Sequence, residues 1–199
     1  MLTGSRQISG RQVLNDEEKF DIFDEMGNPM GIAPRSKVHT EGLWHRAANV
    51  FLFRTDGRLL IQRRQSRKQV CPGLWDLSVA EHLLPGESFE EGALRGLREE
   101  LGVDGIELES LGDVAKSRLE VVDPGIKDYE FQQSFRGTFD GRVSPDSSEV
   151  METRLVGLDD LAAELEARPE NFTPWFRQRS AELDLFGCGR TKRHRAAVR

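Results

Sequence analysis

Phe20-Asp21-Ile22-Phe23-Asp24 mixes apolar with polar positions before the run Met26-Gly27-Asn28-Pro29-Met30-Gly31, and the chain returns through Ile32. The pattern predicts a short N-terminal hairpin that covers one edge of the domain. Two apolar runs, over 47–53 and 58–62, flank Thr55-Asp56-Gly57. Asp-Gly between such runs marks a tight hairpin, and the unbroken hydrophobicity of the first run places that strand centrally in a sheet. Pro72-Gly73-Leu74-Trp75 reads as a loop, residues 76–80 as a short strand, and Pro85-Gly86 as the turn before a helix over 88–101. Phe89, Ala93, Leu94, Leu97 and Leu101 recur every three or four positions there and form one buried stripe. Ser88 with Glu91 makes a capping box, and Gly102 closes the helix. Gly92 and Gly96 each oppose it by about 1 kcal/mol relative to Ala, which the packed stripe outweighs.

Further strands are expected over 105–111, 127–136 and 149–157, and further helices over 158–167 and 173–183, the last entered by Thr173-Pro174. Strands interleaved with helices, without internal repeats, define an α/β class with a mixed β-sheet sandwiched between helices. One domain over 18–185 is expected, between a flexible tail of residues 1–17 and a basic tail of residues 186–199 that ends Arg190-Thr191-Lys192-Arg193-His194-Arg195 and four residues more.

The chain has 199 residues, 37% apolar and 31% charged, which suits a soluble globular domain with a real core. A net charge of −6 gives no general attraction to nucleic acid or to an anionic membrane, so a polyanionic ligand would need a local cation. Cys71 and Cys188 offer neither a disulfide framework nor metal-ligand spacing. No run of the sequence is apolar enough to span a bilayer, and no secretory signal opens it, so a cytoplasmic protein is expected.

Glu99 and Glu100 stand at the end of the loop–helix unit. Acids at a helix C-terminus oppose its dipole, whereas hard divalent cations seek carboxylate oxygens and share substrate phosphates. The pair therefore reads as a site for Mg2+ or Mn2+ with a diphosphate. Residues 81–103 resemble the Nudix box, G-x5-E-x7-R-E-U-x-E-E-x-G-U with U aliphatic. Glu87, Arg95, Leu97, Glu99, Glu100, Gly102 and Val103 agree with it; Glu81 stands for its opening Gly, and Gly96 for the Glu after Arg. The resemblance implies the Nudix fold, a backbone ligand at Ala80, an Arg95–Glu87 pair that fixes the loop–helix junction, and metal-assisted attack of water on phosphorus. Glu81, in the loop beside Ala80, could stand in for the missing carboxylate.

The rest of the chain resembles the isopentenyl-diphosphate isomerase-like branch of that superfamily through His39-Thr40-Glu41-Gly42-Leu43-Trp44-His45, Pro72-Gly73-Leu74-Trp75-Asp76 and Ser78-Val79-Ala80-Glu81-His82. That likeness implies a metal held by His39, His45 and His82 with Asp128 and Glu130. It also implies a proton-exchanging Cys where Ala80 stands, and a methyl group carries no proton. The expected activity is therefore hydrolysis of a nucleoside diphosphate derivative or similar X-linked diphosphate, weakened by Gly96. A diphosphate-binding module without turnover and an isomerase-type enzyme are the alternatives. Glu99, Glu100 and Glu130 are the catalytic candidates. Arg63, Arg64, Lys68 and Trp75 are the candidates for holding substrate, with Trp44 a second stacking or packing residue. The expected partner is a small-molecule diphosphate; a homodimer is left open, and no membrane and no strong case for nucleic acid are expected.

Overall fold

The computed structural model describes residues 18–121 and 125–187; the expected tails over 1–17 and from 188 onward, with Cys188, lie outside the described residues. Along the chain come β1 (Lys19–Phe23), β2 (Pro29–Pro34), α1 (Arg35–Glu41), β3 (His45–Phe53), β4 (Leu59–Arg64), β5 (Trp75–Asp76) and β6 (Val79–His82). Then follow α2 (Phe89–Leu101), β7 (Leu108–Val121), β8 (Ile126–Thr138), β9 (Val150–Val156), α3 (Leu158–Ala167), a 3-10 turn (Pro169–Asn171) and α4 (Pro174–Glu182).

β3 organises the molecule. It pairs in parallel with β8 and antiparallel with β4 and β6, while β7 extends the sheet beyond β8, and β5 and β9 extend it beyond β4. Successive side chains of a strand face opposite ways. Ala48, Val50 and Leu52 therefore pack with Leu97 and Leu101 of α2, while Phe51 and Phe53 pack with Leu161, Phe172 and Phe176 on the other side. The apolar run Val50-Phe51-Leu52-Phe53 at the end of β3 follows from burial on both faces. Leu185 and Phe186 also pack on the second layer, which carries the packed domain one residue past its expected end at 185.

β1 and β2 form the expected hairpin, as a separate two-stranded sheet joined to the core where Phe23 meets Trp44. The helix over 89–101 has the expected caps: Glu91 N donates to Ser88 Oγ, Ser88 N donates to Glu91 Oε2, and Gly102 takes the left-handed conformation at φ 65°.

Three elements depart from the sequence reading. Residues 76–80 belong to two strands rather than one, because the ladder breaks at Leu77-Ser78, where the Ser78 hydroxyl accepts from Leu52 N and donates to Leu60 O. β7 continues ten residues past Leu111 through a bulge between Leu111 and Ala115. The seven-residue helix α1, with Gly42 in the left-handed conformation at its end, has only Val38 buried, too thin an apolar signal to be seen.

Asp76 ties the sheet to the C-terminal helices. Fully buried, it accepts hydrogen bonds from Leu77 N, Thr173 Oγ1, Trp175 Nε1 and Arg64 Nη1 at 2.8–3.2 Å. Removing one member of a buried network leaves its partners unpaired. Asp76→Ala is therefore expected to lower the unfolding free energy by about 3–5 kcal/mol, read from urea denaturation at pH 7.

Candidate active site

α1, β3, β6 and β8 each contribute to one constellation. His39, His45, His82 and Asp128 bring ligand atoms that all lie within 4.8 Å of one another. Asp128 Oδ1 is 3.4 Å from His39 Nε2, 3.3 Å from His45 Nε2 and 3.9 Å from His82 Nε2. Glu130 Oε1 is 3.2 Å from His82 Nε2 and 3.9 Å from His45 Nε2. The register accounts for the convergence: His45 lies beside Glu130, and His82 lies opposite Ala47, two residues along β3. Phe20 of the N-terminal hairpin stacks over His45 and His82 at ring-centroid distances of 5.3 and 4.9 Å.

The three Nε2 atoms and Asp128 Oδ1 are all buried without a hydrogen-bond partner. Native structures rarely leave one such atom, let alone four facing a common point, and a divalent cation there would satisfy all four. The ring orientations agree. His45 Nδ1 lies 3.0 Å from Leu43 O, which places its proton on Nδ1 and frees the Nε2 lone pair. Imidazoles with carboxylates suit manganese or zinc better than magnesium.

Charge at the centre is balanced by proton uptake. Burial and the Arg35 guanidinium, 3.2 Å from its Nδ1, pull His82 downward, but the Asp128 and Glu130 carboxylates prevail and hold it at about 9. Burial pushes Asp128 up, yet the three surrounding imidazoles hold it well below the usual carboxylate range. Burial lowers His39.

A second group of acids lies on the α2 side of the sheet. Burial foremost, and then nearby Glu81, raises Glu100 to about 8, while Gln62 Nε2 donates to its Oε2 at 2.7 Å. Burial also raises Glu81, against the pull of Arg95. Two neighbouring, largely buried carboxylates whose charged forms are disfavoured by burial form a fitting site for a cation, with the carbonyl of Ala80 on the strand that carries Glu81. The structure explains both departures from the box together. A Cβ at Gly96 would lie 2.7 Å from Val79 Cγ1 and 3.0 Å from Glu81 Cβ. The stem of Glu81 thus fills the space that a side chain at position 96 would need, and its carboxylate enters from β6 instead of from the helix.

Glu99 does not join this group. Its side chain is 56% exposed and lies 3.4 Å from Arg95 Nη1; of the expected acidic pair only Glu100 turns toward the sheet. Arg95 pairs with both oxygens of Glu87 at 2.8 and 3.0 Å, as expected, and also contacts Glu81.

The basic candidates divide. Arg63 is spent on Gly73 O and Glu152. Arg64, one residue on and therefore on the opposite face, is held by Asp76 and Val70 O with its guanidinium over Trp175. Lys68 contacts Glu149 and feels Arg64, Arg35, Glu81 and Glu100, which places it at the acidic group. Trp75 packs into the second core layer under Arg154, whose guanidinium is 4.4 Å from its ring, so it is no free stacking platform. Trp44 is likewise buried, against Tyr129 and Phe131. The sequence reading missed Arg35, because the helix that carries it went unseen.

A seven-stranded mixed sheet with a capped Glu-rich helix on one face, and carboxylates gathered beside it, defines a Nudix protein. A model of the NUDIX domain matches residues 43–176, and the chain belongs to that family. It is 41% identical over 143 residues to an isopentenyl-diphosphate Delta-isomerase of Cereibacter sphaeroides, covering 71% of this chain and 79% of the relative. It is 32% identical over 159 residues to isopentenyl-diphosphate Delta-isomerase 2 of Aromatoleum aromaticum, covering 80% and 82%. Among solved structures, DR0079 of Deinococcus radiodurans superimposes with a TM-score of 0.68 at 21% identity, over 83% of this chain and 99% of that one, a likeness of fold. Among the described residues no helix is long and apolar enough to cross a membrane.

Proposed function

We propose that this chain is a metal-dependent Nudix enzyme that hydrolyses a diphosphate linkage, in a nucleoside diphosphate derivative or a similar X-linked diphosphate, with Mg2+ or Mn2+. The observation that carries this reading is Ala80. It lies opposite Asn49 on β6, two residues from the ligand His82, and its methyl group cannot exchange a proton with an allylic carbon. Bound cations would neutralise the diphosphate and acidify a water. His39, His45, His82 and Asp128 would hold one, and Glu81 with Glu100 another. Glu130, buried and fixed by a hydrogen bond from Gln132 Nε2 at 2.6 Å, would take a proton from the attacking water. Arg35, Arg64 and Lys68 supply positive charge for the phosphate oxygens.

An isomerase is the second reading. The names of the relatives and the complete set of three His and two acids favour it over hydrolysis. One assay separates the two: nucleoside diphosphates, dinucleoside polyphosphates and isopentenyl diphosphate are incubated with Mg2+ or Mn2+, and phosphate release and the NMR spectrum of the allylic product are followed. Release from at least one compound is expected, and Glu130→Gln should cut it about 100-fold or more with little change in KM. Conversion of isopentenyl diphosphate to its allylic isomer without release of phosphate would overturn the hydrolytic reading.

A further inference from the structure

From the metal centre, polar side chains continue along one face of the sheet. The parallel register sets His45 beside Glu130, Ala47 beside Gln132 and Asn49 beside Ser134, while β6 sets His82 opposite Ala47 and Ala80 opposite Asn49. Side chains paired this way project to the same side. Asn49 is 1% exposed and Gln132 2%, yet Asn49 Nδ2 and Gln132 Oε1 have no hydrogen-bond partner. The Gln132 amide is oriented, because its Nε2 is committed to Glu130, and so its oxygen is presented as an acceptor. Behind it, Ser134 Oγ accepts from Arg179 Nε and Nη2 at 3.2 and 3.0 Å, and that buried guanidinium also contacts Glu182. The next position on this face of β3 is Phe51, which belongs to the core.

A site shaped for a hydrocarbon would be apolar here. An isoprenyl chain laid against Asn49 and Gln132 would leave their buried amide atoms without a hydrogen bond. We propose that Asn49 and Gln132 act as a donor–acceptor pair that recognises the group attached to the diphosphate, and that this group is polar, the sugar or base of a nucleoside diphosphate rather than an isoprenyl chain. The proposal rests on reading the neighbouring centre as a diphosphate site, but not on hydrolysis being its chemistry.

Calorimetry on the manganese-loaded protein tests it by binding alone, with inorganic pyrophosphate, isopentenyl diphosphate, ADP, CDP, GDP and UDP as probes. At least one nucleoside diphosphate should bind about tenfold or more tighter than isopentenyl diphosphate, the advantage expected of one or two satisfied buried hydrogen bonds. Asn49→Val should erase most of that advantage while leaving pyrophosphate affinity within about twofold. Isopentenyl diphosphate binding as tightly as the best nucleotide, or an Asn49→Val protein that keeps the full preference, overturns the proposal. The comparison among probes needs only the wild-type protein, so it stands even where the variant fails to fold. Absence of pyrophosphate binding overturns the diphosphate reading and this recognition together, whereas nucleotide preference without turnover overturns hydrolysis and supports the recognition.

Discussion

Gly96→Glu lowers stability and leaves turnover no higher, although it restores the residue type that the Nudix pattern asks for. The first atom of any side chain at that position meets Val79 Cγ1 at 2.7 Å and the stem of Glu81 at 3.0 Å. Val79 is fully buried in the first core layer and has nowhere to move. Overpacking of a close-packed core costs about 1–3 kcal/mol, a fall of roughly 2–12 °C in melting temperature for a domain of this size, read by circular dichroism. Bringing a third carboxylate beside Glu81 and Glu100 without a cation adds like-charge repulsion. The informative partner is the double exchange Glu81→Gly with Gly96→Glu. It removes the stem of Glu81, though not the contact with Val79, and supplies the carboxylate from the helix, so it should recover part of the lost stability and bind Mn2+ more tightly than Glu81→Gly alone. A double variant no better than either single change would show that the two positions do not substitute for one another.

The affinity of the histidine centre for a divalent cation rises with pH until about 9. His82 holds a proton with a pKa of about 9 in the cation-free protein, and a metal displaces it. Below that value each unit of pH therefore costs close to tenfold in affinity; above it the dependence flattens. Asp128→Asn removes the one carboxylate oxygen within 4 Å of all three imidazoles. Its expected effects are a loss of about 100-fold or more in Mn2+ or Zn2+ affinity and a lower pKa for His82, since burial and Arg35 then act with one acid fewer opposing them. Competition with a chromogenic chelator at pH 6.5, 7.5 and 8.5 measures both. An affinity independent of pH would exclude His82 as a ligand.

Where local rules decide structure, the sequence was legible. Ser88, Glu91 and Gly102 act within a few residues of themselves, and their helix was readable to within a residue. The residues that the likeness to the isomerase-like branch named, His39, His45, His82, Asp128 and Glu130, do converge in space, because each is fixed to its strand or helix whatever lies between. What escaped depends on register. Glu81 and Gly96 are fifteen residues apart and touch only because β6 packs under α2. Adjacent Arg63 and Arg64 differ in role because neighbouring strand residues face opposite ways, and nothing local says which one turns toward the site. α1 forms through its contacts with β1 and β8 rather than through propensity, and so Arg35 went unseen with it. Glu99 was assigned with Glu100 as an acidic pair at the helix end and by its match to the box, yet neighbouring helix positions point in different directions, and the structure turns Glu99 to solvent.

Phe20 gives the centre a ceiling. It is fully buried, lies within 6.1 Å of all three imidazole rings, and belongs to a hairpin that has its own small sheet instead of a place in the main one. An ion seated below it would be covered on that side for as long as the hairpin stays docked, and local opening of such an element can occur without global unfolding. Docking of the N-terminal β-ribbon is therefore expected to lengthen the residence of the ion, and Phe20→Ala to speed metal exchange without altering a single ligand.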